Sequence, residues 1–294
     1  MDQNNPITEP VKKKKRQFFL AVIGIALALM LCGDILGELL TGLIRSFVPM
    51  SAQWKFLLTY LSFIGIDVVV LLYCRLAERD VRRSFRSARR GGSFGNTLGE
   101  FALGILIGFV TNGICILAAW LHGDLHFSVG RFEAVYLLAA FVTVLIQSAA
   151  EELLTRGYML GALRERYGVW IAVAINSLFF GALHLANPGV SVMSILDIVV
   201  VGVALSVVVV CRGSLWMAIA IHTMWNFTLN FLFGLPNSGI VSQGSFLQLD
   251  AAADSVFYDA VFGVEGALPA VLVDLALAVA VVLLAKRKAA RAEA

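Results

Sequence analysis

Three short stretches of the chain gather side chains suited to acyl hydrolysis: Glu151-Glu152-Leu-Leu-Thr-Arg156, Phe180-Gly-Ala-Leu-His184 and His222-Thr-Met-Trp-Asn226. A carboxylate beside an imidazole can bind and deprotonate a water. A second imidazole and an amide can donate hydrogen bonds to the oxyanion that forms when that water attacks a carbonyl. The same groups open a second route to the nucleophile. Two His and one Glu, here His184, His222 and Glu151, make a known catalytic zinc set with one position left for water.

Helical spacing gives these residues a geometry. Side chains four apart share a helix face, so Glu152 reaches Arg156, and a buried guanidinium neutralises one of two adjacent carboxylates. Glu151 points about 100° away from Glu152 and is free to face a bundle interior. His222 and Asn226 share a face and aim at one point. Phe180 lies one turn below His184 and is placed to fix its ring. Each motif alone has an ordinary explanation: a structural ion pair, an interfacial histidine, an asparagine gluing helices together. Three of them, in order, in one chain, point to a site.

The elements that position them must be membrane spans. The chain has 294 residues, 59% hydrophobic and only 15% charged, with a mean hydropathy of +0.85. The apolar excess falls in long runs, and a span needs roughly 20 mostly apolar residues. Such runs lie at about 18–44, 54–74, 98–121, 134–156, 169–186, 191–211, 214–233 and 266–285. Lipid admits only helices or closed barrels, and continuous apolar runs exclude alternating barrel strands. The expected fold is therefore an all-α polytopic bundle of about eight transmembrane helices, with residues 1–294 forming one integral membrane domain. A formal charge of +3 gives no reason to expect a nucleic-acid partner.

Charge placement sets the expected orientation. With the N-terminus inside, all Lys and Arg except Arg45, Lys55 and Arg131 fall on inner segments, as the positive-inside rule requires. Both termini are then cytoplasmic, in what reads as a bacterial inner (plasma) membrane. Residues 75–96 form a basic cytoplasmic loop suited to anionic lipid. Residues 234–265 form an external loop without Lys or Arg, whose Phe246–Phe262 part has the aromatic and acidic mix of a helix lying at the outer surface. His122 and His126 fall in a short solvated outer loop. Cys32, Cys74, Cys115 and Cys211 form no C-x-x-C pair and read as packing residues.

Depth raises one difficulty. At 1.5 Å per residue, His222 lies about 12 Å from the inner end of its span, whereas His184 lies about 24 Å from the inner end of its own. The mismatch shrinks if the fourth helix continues to about residue 165, which brings Glu151 to mid-membrane. That is the version expected here. The other intramembrane acids, Asp67, Asp197 and Asp274, have no partner visible in the sequence. They would suit a secondary transporter, but no repeat or pair of broken helices accompanies them. Asp34 and Glu38, one turn apart, read as an interfacial helix end.

At its three motifs the chain resembles the CAAX protease and bacteriocin-processing family, also called type II CAAX prenyl endopeptidases or Abi proteins. The family signature runs E-E-x-x-x-R, F-x-x-x-H, H-x-x-x-N, and every position is matched, within a core of roughly residues 134–232. The resemblance implies an intramembrane endopeptidase acting on prenylated or hydrophobic peptide substrates. Carried over, Glu151 and His184 activate the water, His222 and Asn226 hold the oxyanion, and Glu152 and Arg156 shape and neutralise the site. The family has been described both as zinc-dependent and as glutamate-dependent without metal. A non-catalytic alternative is an immunity or regulatory protein that kept the fold and binds a peptide or sensor partner.

Overall fold

Backbone groups in lipid have no water to pair with, so apolar runs must satisfy their hydrogen bonds within helices. The computed structural model, which describes residues 18–77 and 94–293, is accordingly all-α apart from one two-stranded ribbon. Among the described residues, six helices are long and apolar enough to cross a membrane: Phe19–Phe47, Ala52–Leu76, Asn96–His122, Ala134–Tyr167, Val192–Arg212 and Leu268–Arg291. The protein is an integral membrane protein.

Eight full spans were expected, and two of them are shorter. The run at 169–186 is the 15-residue helix Val169–Leu183, and that at 214–233 is the 12-residue helix Trp216–Phe227 continued by a π-helical turn, Thr228–Leu232. Fifteen residues rise only about 22 Å, short of a hydrocarbon core of about 30 Å. These two helices are the ones that end in or carry the histidines.

In chain order the helices are α1 (Phe19–Phe47), α2 (Ala52–Leu61), α3 (Ile64–Leu76), α4 (Phe94–His122), α5 (Ala134–Glu152), α6 (Leu160–Tyr167), α7 (Val169–Leu183), α8 (Val192–Arg212), α9 (Trp216–Phe227) and α10 (Leu268–Glu293). Helices α2 and α3 make one span broken at Ser62-Phe63. The break nests against α1: a Cβ on Gly37 would sit 1.7 Å from the Ser62 carbonyl oxygen, and one on Gly65 would sit 2.1 Å from that of Gly33. Small residues allow this backbone approach, which supplies van der Waals contact where lipid removes the hydrophobic drive between helices. The same device seats α4 on α9. A Cβ on Gly104 would meet the Met217 carbonyl oxygen at 2.6 Å, and one on Gly108 that of Ile221 at 2.5 Å.

The fourth span runs on as expected. A π-helical stretch, Leu153–Met159, joins α5 to α6, making one helix of 34 residues from Ala134 to Tyr167. Gly168, at φ 85°, ends it. Glu151 and Glu152 thus sit within a continuous rod, immediately before the π-helical stretch. Such widened turns mark functional sites in many helices.

Residues 234–265 depart from the helix expected near Phe246–Phe262. Strand β2 (Leu247–Ala252) pairs antiparallel with β1 (Leu125–Val129), with Leu125 opposite Ala252, Val129 opposite Leu247 and an irregularity between His126 and Phe127. Leu-Gln-Leu-Asp alternates with period two, a strand pattern, and the aromatics that follow turn inward: Tyr258 and Phe262 are fully buried. His122 and His126 are exposed, as expected, although His122 Nδ1 lies 2.9 Å from Asp124 Oδ1. Asp124 is buried and also accepts from the Ser255 hydroxyl. Burial opposes its ionisation, but the hydrogen bonds from Ser255 and His122 outweigh that and hold its carboxyl below the ordinary Asp range. The basic segment 75–96 lies mostly outside the described residues, as does the Lys12–Arg16 block.

Candidate active site

Glu151, His184, His222 and Asn226 come from three helical elements and line one cavity of about 410 Å³. The elements meet because α5 packs on α9, α7 packs on α8, and the π-helical stretch touches both α7 and α8.

Glu152 and Arg156 behave as their spacing predicts. Arg156 Nη1 donates to Glu152 Oε1 at 2.9 Å, and both side chains are fully buried. Arg156 also donates through Nη2 to the Gly202 carbonyl at 3.3 Å. Its guanidinium lies 4.3 Å from the centroid of the Phe180 ring, a cation–π contact that is strong where water is excluded.

Phe180 is the hub of the site. Its ring contacts the His184 ring at 4.8 Å and the His222 ring at 6.2 Å between centroids. The role expected from sequence was to fix His184 alone. His184 is also held by its own helix, with Nδ1 2.9 Å from the Phe180 carbonyl oxygen. A carbonyl only accepts, so Nδ1 carries the proton, and in the neutral ring Nε2 is left as an acceptor.

His222 bridges the two glutamates. Nδ1 lies 2.9 Å from Glu152 Oε1, and Nε2 lies 3.7 Å from Glu151 Oε2. Two carboxylates and one guanidinium sum to one negative charge, which a doubly protonated His222 would match.

Three polar residues of the site escaped the sequence reading. Gln147, one turn before Glu151, donates to Glu151 Oε1 and accepts from Asn226 Nδ2 at 3.1 Å. The i, i+4 spacing to Glu151 was a usable signal; the reach to Asn226 was not. The Thr155 hydroxyl donates to the Glu151 carbonyl and accepts from Arg156 Nη1 at 3.0 Å. Glu265 enters the cavity lining from the 3-10 turn Val264–Gly266 before α10. It accepts from Trp225 Nε1 and Ser238 Oγ, each at 2.9 Å. Burial pushes the Glu265 carboxyl up despite the donors from Ser238 and Trp225. No sequence pattern links residue 265 to residue 225.

A catalytic zinc ion requires three protein donors converging within about 2.0–2.2 Å of one point. Among the described residues, no three or more His, Cys, Asp and Glu side chains are gathered in that way. Nδ1 of His222 is held by Glu152 and Nδ1 of His184 by the Phe180 carbonyl, which leaves Nε2 of each ring as the nitrogen open to a ligand.

Residues 133–228 match the family model described as Rce1-like, type II CAAX prenyl endopeptidase Rce1-like. The matched segment, about a third of the chain, holds all seven signature positions and supports the resemblance to the CAAX protease and bacteriocin-processing family. No curated protein matches the chain.

Proposed function

We propose that the protein is an intramembrane endopeptidase in which Glu151 and His184 activate a water for attack on a peptide carbonyl, while His222 and Asn226 receive the oxyanion. The observation that carries this reading is the shared cavity: Glu151, His184, His222 and Asn226 all line it.

The division of labour follows from what each side chain is already bonded to. Glu151 has one oxygen held by Gln147 and the other turned toward His222. The carboxylate takes a proton from the water as the O–C bond forms. His184, protonated at Nδ1, offers Nε2 as a second acceptor. His222 and Asn226 present N–H donors where negative charge develops, in a site of low dielectric that strengthens them. Collapse of the tetrahedral adduct returns a proton to the leaving amine, which Glu151 is placed to supply. Glu152 and Arg156 set the His222 ring and balance the charge of the site.

The cavity wall is largely apolar, with Met30, Phe56, Phe63, Leu154, Ile198 and Leu205 among its residues, which supports a prenylated or hydrophobic peptide as substrate. The asymmetry of Lys and Arg supports a cytoplasmic N-terminus and C-terminus.

The test is cleavage of a prenylated or hydrophobic peptide by purified protein in detergent, beside Glu151→Ala and His184→Ala. General-base loss costs about 10²–10⁴-fold, so both variants should fall at least a hundredfold. Cleavage that survives in both at wild-type rate would end the mechanism.

A further inference from the structure

A second acidic group opens onto the same cavity. Asp197 lies on α8, Asp274 on α10 and Glu265 on the 3-10 turn before α10, and all three line the cavity with Glu151, His184 and His222. Their exposures are 1%, 2% and 8%. Glu265 is partnered by Trp225 and Ser238. The other two are different. Asp197 Oδ1 and Asp274 Oδ2 are buried with no hydrogen-bond partner among the described residues.

Packing gives no reason for these acids. Helices α8 and α10 pack closely on each other, and two facing carboxyls weaken that contact. Buried polar atoms left unpaired are costly in low dielectric. A basic side chain would satisfy them, yet among the described residues lining the cavity none is Lys or Arg. A cationic side chain of a bound peptide would supply that partner.

The chemistry of that partner is constrained. A metal ion needs donors converging on one point, and no such group of three is gathered among the described residues. An ammonium or guanidinium carries several N–H donors spread over its own width and can bridge carboxyls that stand apart. A peptide lying in the cavity with its scissile bond at Glu151 would bring its neighbouring side chains to these acids.

We propose that Asp197 and Asp274, with Glu265 beside His184, form a specificity subsite for a cationic side chain, Lys or Arg, flanking the scissile bond. A bond beside a basic residue is then preferred over one beside an acidic residue. This inference rests on the endopeptidase reading above.

The experiment uses the full chain in detergent and matched fluorogenic hydrophobic peptides, with Lys against norleucine, and Arg against citrulline, scanned across the positions on either side of the cleaved bond. At one position the cationic peptide should show at least a tenfold higher kcat/KM. The Asp197→Asn/Asp274→Asn variant should bring that ratio to within about twofold of parity. Equal kcat/KM at every position in the unmodified protein overturns the subsite while leaving the protease intact, and so does a cationic preference that persists in the double variant. If no peptide is cleaved, the protease reading is the one in doubt, and the same pairs are titrated onto Glu151→Ala by fluorescence anisotropy. Tenfold tighter binding of the cationic member then supports the subsite, and equal binding overturns it. The comparison on unmodified protein needs no variant to fold.

Discussion

A single oxygen, Glu152 Oε1, receives both Arg156 Nη1 and His222 Nδ1, each at 2.9 Å. The ion pair on one helix is thus also the anchor of an imidazole on another. Breaking a buried pair by removing one partner costs about 3–5 kcal/mol, whereas replacing both with apolar groups is often neutral. Glu152→Ala should therefore destabilise the protein strongly, and Glu152→Leu/Arg156→Met should recover most of the melting temperature. Activity should stay at least a hundredfold down in the double variant, because His222 Nδ1 then has no acceptor. Thermal melts and cleavage rates on the same preparations separate the two effects.

Gln147 joins the Glu151 carboxylate to the Asn226 amide through one side chain. Gln147→Ala leaves both groups in place but frees their orientation. A fall in kcat of about tenfold, equivalent to about 1.4 kcal/mol of barrier, with little change in KM, is the expected signature. An unchanged kcat would show that the amide bridge has no part in positioning.

Helix α4 approaches the His222 helix through Gly108. A Cβ there collides with backbone, which cannot rotate away as a side chain would. Gly108→Val should cost about 1–3 kcal/mol, the usual range for overpacking, and lower activity by displacing α9. If melting temperature and activity both match the parent, α4 and α9 do not pack this closely in the membrane.

Asp124 supplies a pH prediction. Its folded pKa is depressed, so its contribution is complete above the unfolded value of about 3.9 and disappears as pH falls through the lower folded value. Asp124→Asn should therefore melt lower than the parent at neutral pH, and the gap should close below about pH 4. Melting curves across pH 3–7 check the sign; a gap that widens with acid would contradict it.

Metal content is predicted from the arrangement of the donors. With no three-donor group gathered among the described residues, purified active protein should carry less than one equivalent of zinc, and a chelator should leave cleavage within twofold. Stoichiometric zinc, lost together with activity and restored with it, would mean that the three ligands converge in the working enzyme.

How far the sequence could be read depended on the range of the interactions. Glu152–Arg156 and Phe180–His184 were legible because helical spacing fixes a neighbour four residues away. The continuation of the fourth helix followed from the need to bring Glu151 level with two histidines. The contact of Glu265 with Trp225 was not legible, because it depends on how a loop folds back over α9. Lengths also misled: hydropathy marks 169–186 and 214–233 as spans, but short helices buried among others are as apolar as lipid-facing ones. The strand Leu247–Ala252 was hidden by aromatics that suggested a surface helix, although its alternation was present. Asp197 and Asp274 looked solitary because neither spacing nor motif relates α8 to α10.

The β1–β2 ribbon has a topological consequence. One strand stands just before α5 and the other after α9, so the ribbon knots together the two ends of the segment that holds every signature residue. The helices between them form a lasso whose ends cannot part while the strands stay zipped. Breathing of the site must come from helices leaning within that noose, and a nick in the stretch between residue 130 and residue 246 would leave both fragments still fastened.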